Sequence, residues 1–203
     1  MELVSSSGTV ITDAMFRSVH PLISFPATLS AADIEPYGYS IVQATAQPAY
    51  SPFYTVSAGA PTQVEGIWQQ TWVQTSVSLA SAQATQIAAL SASCASAIIA
   101  GFTSSALGSV YTYPSKIVDQ QNLAASVLAS MIPNLPTTWT TPFWCANSEG
   151  VWARVPHTVD QIQQAGIDGK AAVEGYQAQN DSLAQQVSAA TTIAEVQAIV
   201  WPT

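Results

Sequence analysis

Thr158-Val159-Asp160-Gln161-Ile162-Gln163-Gln164-Ala165-Gly166 opens the longest regular pattern in the chain. Thr158 with Gln161 three residues later is a capping box, in which each side chain satisfies a backbone N–H at a helix start. Beyond it Val159, Ile162, Gly166, Gly169, Val173, Tyr176, Asn180, Leu183 and Val187 recur at alternating spacings of three and four. That spacing predicts a helix of about 30 residues, about 45 Å long. Written as a heptad, Val159, Gly166, Val173, Asn180 and Val187 are a positions and Ile162, Gly169, Tyr176 and Leu183 are d positions. A single Asn at an a position fixes register at some cost in stability. Gly166 and Gly169 each cost about 1 kcal/mol of helix propensity but admit close approach of a neighbour. Two readings follow. The stripe packs on the chain's own preceding and following helices, or Val159, Ile162, Val173, Tyr176, Asn180, Leu183 and Val187 mediate self-association.

Downstream, Thr192 and Glu195 cap a last short helix ending at Trp201-Pro202. Upstream, Phe143 to Val155 reads as a hairpin with Asn147 to Gly150 as its loop. Ser115 to Ile132 is helical and stops at Pro133 and Pro136. Before that, no charged residue occurs between Glu65 and Lys116. Within this stretch Leu79, Gln83, Ile87, Leu90, Cys94, Ile98 and Gly101 recur at helical spacing, so Ser78 to Ala106 reads as one Ala/Ser-rich helix. Its continuous apolar run, Ala97 to Phe102, is far short of the roughly 20 residues of a membrane span, and none is expected.

The first part of the chain is rich in aromatics and prolines. Thr12 or Asp13 caps a turn that Pro21 ends, and Ser30 with Asp33 caps a short helix before Pro36. Tyr39 to Gln43 and Phe53 to Ser57 are strand-like, and Glu65-Gly66 is a hairpin turn. The following strand alternates, with Trp68, Gln70, Trp72 and Gln74 on one face. The expected class is α+β: a β-rich docking module over 1–76, a helical spacer over 77–110, and a helical domain with a β-hairpin over 111–203.

Composition narrows the function. The 203 residues carry 4 basic and 12 acidic side chains, a net charge of −8. Charged residues make up 8%, against about 25% in an ordinary soluble domain. Four basic residues cannot build the positive stripe that nucleic acid or anionic lipid requires. The sparse charge points to a chain that works within an assembly, with homo-oligomers expected. Met1 to Gly8 lacks the basic and apolar regions of a secretory signal. Cys94 and Cys145 are far apart and read as buried thiols rather than a disulfide.

No catalytic inventory emerges. His20 and His157 each adjoin a proline and have no Asp, Glu or Cys at ligand spacing, so neither a metal nor another cofactor is expected. No Gly-x-Ser-x-Gly elbow or Gly-rich phosphate loop is present. Asp33, Glu35, Glu149 and Asp160 are explained by caps and turns rather than by glycoside cleavage. Trp68 and Trp72 read as core, as a docking patch, or as a sugar-binding platform.

Asp13 to Pro26 contains Phe16-Arg17-Ser18-Val19-His20-Pro21-Leu22-Ile23-Ser24-Phe25-Pro26. This segment resembles the opening of a group of bacteriophage tail proteins, whose pattern is close to F-R-x-x-x-P-x-x-S-F-P. Their Q-P-x-Y turn is matched by Gln47-Pro48-Ala49-Tyr50, and their closing G-x-W-x-x-x-W by Gly66 to Trp72. The part running from Tyr113-Pro114-Ser115-Lys116 through Asp119 to Leu123 and on to Ala190–Val196 and Trp201 is similar to a domain of unknown function common near tail-fibre genes. The resemblance leaves only the Ala/Ser helix unmatched.

It implies a non-enzymatic, structural tail component, fibre- or baseplate-associated, made in the host cytoplasm and carried in the virion. Its partners would be other tail proteins and copies of itself, with Phe16, Phe25, Trp68 and Trp72 as docking residues. Alternatives are a tail-fibre assembly chaperone absent from finished particles, and a glycan-binding host adhesin using Trp68 and Trp72.

Overall fold

In the computed structural model, which describes residues 1–202, the first strand, β1 (Glu2–Ser5), lies between β2 (Val10–Thr12) and β3 (Tyr39–Ile41), antiparallel to both. Leu3 pairs with Ile11 on one side and Ile41 on the other, a row of apolar side chains across all three strands. Helix α1 (Asp13–Val19) starts directly after β2, and the Thr12 hydroxyl accepts from the Met15 N–H at 3.2 Å. Helix α2 (Ala31–Ile34) is short, and the Asp33 carboxylate accepts from the Ser30 N–H at 2.8 Å. Leu3, Ile11, Phe16, Leu29 and Ile34 close one core.

The aromatic motif around α1 is a structural device. Phe16 packs tilted on Phe25 with ring centroids 5.1 Å apart, and edge-on to Tyr37 and Tyr39. The Arg17 guanidinium pairs with Asp13 at 2.6 Å and donates to the carbonyls of Phe25, Pro26 and Ala27. One side chain thereby fixes both ends of the 17–27 loop, satisfying carbonyls that no strand or helix reaches.

A long hairpin completes this first unit: β4 (Tyr54–Val64) and β5 (Ile67–Ser76). Its turn residues Glu65 and Gly66 have φ of 52° and 83°, the left-handed pair that matches strand twist in a two-residue loop. Gln43 bridges Gln69 in parallel, and the Trp72 indole donates to the Thr45 hydroxyl at 3.0 Å.

The chain divides between Ser78 and Leu79. The second unit opens with α3 (Leu79–Ala100), followed by β6 (Phe102–Ser104), β7 (Tyr111–Tyr113), α4 (Ile117–Ser130), β8 (Thr141–Ala146), β9 (Trp152–His157), α5 (Val159–Ala189) and α6 (Ile193–Ala198). The four strands form one antiparallel sheet in chain order. Phe102, Tyr113, Phe143 and Cys145 on its inner face meet Leu123 of α4 and Ile162 and Ala165 of α5. Both cysteines are buried and free. The class is α+β.

The Ala/Ser-rich helix is not a spacer. It runs antiparallel along α5 and belongs to the second unit. Gln83 donates to the carbonyls of Val187, Ser188 and Ala190, and Gln86 to that of Ile199 at 2.6 Å. These are carbonyls at and beyond the C-terminal ends of α5 and α6, where the regular helix bonds run out. By length and composition alone, the 22-residue α3 is long and apolar enough to cross a membrane. The uninterrupted apolar run, Ala97 to Phe102, covers only a small part of that length. Within this structure the inner face of α3, with Ala82, Leu90 and Cys94 buried, packs inside the unit.

Candidate functional site

Helices α4 and α5 do not close over each other along their whole length. Gly166 sits where a Cβ would lie 2.7 Å from a Val127 methyl, and a Cβ on Gly169 would lie 2.8 Å from the Phe102 ring. The glycines therefore seat α5 close against β6 and the middle of α4, and packing outweighs their poor helix propensity. Ser130 accepts from Gln163 at 3.0 Å and ties the two helices together at the end of α4. Between them lies an open groove of about 800 Å³ with Leu123, Val127, Gly166 and Val173 in its walls. Its rim carries Leu128, Met131 and Ile167, exposed by 69%, 63% and 62%. Lys170 and Glu174 also line it and pair with each other at 3.1 Å, leaving no net charge there. An open, apolar, charge-neutral groove can bury an apolar segment of a partner.

The polar core is elsewhere, under the sheet. The Tyr113 hydroxyl and His157 Nε2 are 2.8 Å apart, and His157 Nδ1 is 2.8 Å from the Val155 carbonyl. Because a carbonyl only accepts, Nδ1 carries the proton, and Nε2 accepts from the tyrosine. Burial holds the His157 imidazole below its ordinary range and pushes the Tyr113 hydroxyl and Cys145 thiol above theirs. All three are fully buried, so this is a neutral hydrogen-bonded brace without access to substrate. His20 packs tilted in the Phe16 cluster, 4.8 Å from that ring. Among the described residues no three metal-ligating side chains converge.

The residues expected to dock partners fall unevenly. Phe16 is fully buried at the centre of its aromatic cluster, which corrects its expected docking role: no partner reaches it. Phe25 is half-buried against it. Trp68 and Trp72 share one face of β5, both half-buried, and the Trp72 indole N–H is already engaged by Thr45. What this unit presents instead is Leu22, 97% exposed at the tip of the loop fixed by Arg17, together with Tyr50.

The heptad stripe of α5 is occupied from within the chain. Ile162 and Val187 are fully buried, while Val159, Val173, Tyr176, Asn180 and Leu183 are half-buried. Cys94 of α3 donates to the Tyr176 carbonyl, and Gly169 abuts Phe102. The Asn180 side-chain oxygen is buried without a hydrogen-bond partner among the described residues. Sequence reasoning missed the groove rim. Leu128, Met131 and Ile167 follow helical spacing as core residues do, and nothing local tells a covered apolar position from an open one.

A family model for a domain of unknown function (DUF4376) matches residues 81–200, taking in most of α3 and ending beyond α6. No curated protein and no solved structure matches the chain.

Proposed function

The chain belongs to the DUF4376 family, whose description names no activity, and from that premise we propose that it is a non-catalytic structural component of a bacteriophage tail. It is fibre- or baseplate-associated and mediates protein–protein assembly, with other tail proteins and further copies of itself as partners. The α4–α5 groove carries the reading. Each large apolar side chain covered there is worth about 1.5–3 kcal/mol, a gain available only to an assembled chain. The sparse charge, 16 charged residues in 203, supports it, because few repulsive charges keep copies apart. The tail assignment rests on the resemblance of the Phe16–Pro26, Gln47–Tyr50 and Gly66–Trp72 motifs. The chain needs no cofactor for this role, is made in the host cytoplasm and ends in the virion.

Quantitative mass spectrometry of purified particles tests the proposal. A fixed integer ratio to a tail protein of known copy number is the expected result. Absence from particles, with abundance in infected-cell lysate, contradicts it and identifies an assembly chaperone.

A further inference from the structure

The outer face of the second unit's sheet carries two exposed tryptophans. Trp144 and Trp152 are 46% and 42% exposed. They occupy adjacent strands, and their rings lie 6.3 Å apart between centroids and within 19° of parallel. A stacked, near-parallel pair in solvent holds both rings rigid and leaves the outward face of each indole open. Neither indole N–H has an acceptor among the described residues, so two donors stand at its edges.

The ladder places Arg154 directly opposite Trp144 and two residues from Trp152, on the same face. Thr112, paired with Ala146, and Thr103, paired with Thr112, extend that face with hydroxyls. Arg17 is tied to Asp13 and Lys170 to Glu174, whereas the exposed Arg154 guanidinium has no partner among the described residues. In a chain of net charge −8, an unpaired guanidinium beside two open rings is a rare local arrangement.

We propose that Trp144, Trp152 and Arg154 form a binding platform for an acidic sugar. The apolar face of a pyranose ring lies on an open indole face of the pair, its carboxylate takes the Arg154 fork, and its hydroxyls meet the indole N–H groups and the threonines. One cation on an acidic chain suits a single carboxylate. A polyphosphate would meet the repulsion of the whole molecule. The platform is distinct from the α4–α5 groove, and it is a different pair of tryptophans from Trp68 and Trp72.

The full chain with labelled indole nitrogens is titrated by NMR with sialyllactose, lactose and AMP, the two signals being assigned with W144F and W152F. Sialyllactose is expected to move both signals, with lactose binding about tenfold more weakly for want of the charged contact. R154Q, at an exposed unpaired position that leaves the fold intact, should reduce sialyllactose to the affinity of lactose. Unmoved Trp144 and Trp152 signals at millimolar sugar overturn the proposal. Equal affinity for the two sugars, or AMP binding as well as sialyllactose, overturns it too. The titration uses isolated protein, so its outcome is independent of whether the chain is found in particles.

Discussion

Helices α4 and α5 lie side by side on one sheet, and they use their apolar residues in opposite ways. In α5 most apolar side chains at the heptad positions are turned inward, with Ile162 and Val187 fully buried, while Val173 lines the groove. In α4 only Leu123 and Ser130 are buried, while Ile117, Val118 and Leu128 stand largely in solvent. A regular stripe is thus the mark of a helix whose partners are in its own chain, and the open face belongs to the less regular helix. The difference has a geometric cause. Helix α5 is enclosed by α3, α4 and β6, whereas α4 packs mainly against α5.

Substitutions can break this contrast, beginning with the inner stripe. Val187→Asp places a carboxylate where no partner exists and should cost about 3–5 kcal/mol, unfolding much of the population in a urea titration. An unchanged midpoint would mean that the α5 stripe is not core.

The buried brace gives a pH signature of the same core. The His157 imidazole is held below 6.5 when folded, so its contribution is complete above the unfolded value and lost as pH falls below it. Tyr113 and Cys145 are raised from 10.0 and 9.0, so theirs is complete below those values and lost as pH climbs past them. Unfolding midpoints should plateau from about 6.5 to about 9 and fall on both sides. His157→Gln should flatten the acid limb between about 6.5 and 5.

Two glycines on α5 sharpen the comparison. Gly169→Ala drives a methyl into the buried Phe102 ring and should lose about 1–2 kcal/mol despite better helix propensity. Gly175 has nothing within 4 Å of a built Cβ, so Gly175→Ala should gain about 0.5–1 kcal/mol. Opposite signs in chemical denaturation separate seated from idle glycines.

Much of this organisation was legible because its causes are local. The capping boxes at Thr158 and Thr192 and the turn at Glu65-Gly66 each involve residues within four positions of one another. Strands β6 and β7 were not legible. Each has three residues, and Phe102–Ser104 owes its conformation to pairing with Tyr111–Tyr113 and to the α5 glycine beneath the Phe102 ring. The role of α3 was hidden for a similar reason. Gln83 reads as one more position of the helical stripe, and its task and that of Gln86 show only with their acceptors, more than a hundred residues away, in view. Of the candidate site, the α5 wall was visible as a pattern. The exposure of Leu128 and Met131 was not, because the same spacing serves a buried face.

The smallest stability effect belongs to the groove rim. Leu128→Ser and Ile167→Ser should shift unfolding by no more than about 0.5 kcal/mol, and together they should remove the chain from assembled particles. Normal incorporation of a fully folded double variant would place the assembly contact on another surface.

The most direct measurement puts a photocrosslinking amino acid at Leu128 in infected cells, with the exposed Gln177 of α5 as the control position. A crosslink from position 128 to a tail protein or a second copy is the expected result, with none from position 177. No intermolecular product from position 128, or equal products from both positions, would contradict the claim that the α4–α5 groove is where this protein meets its partners.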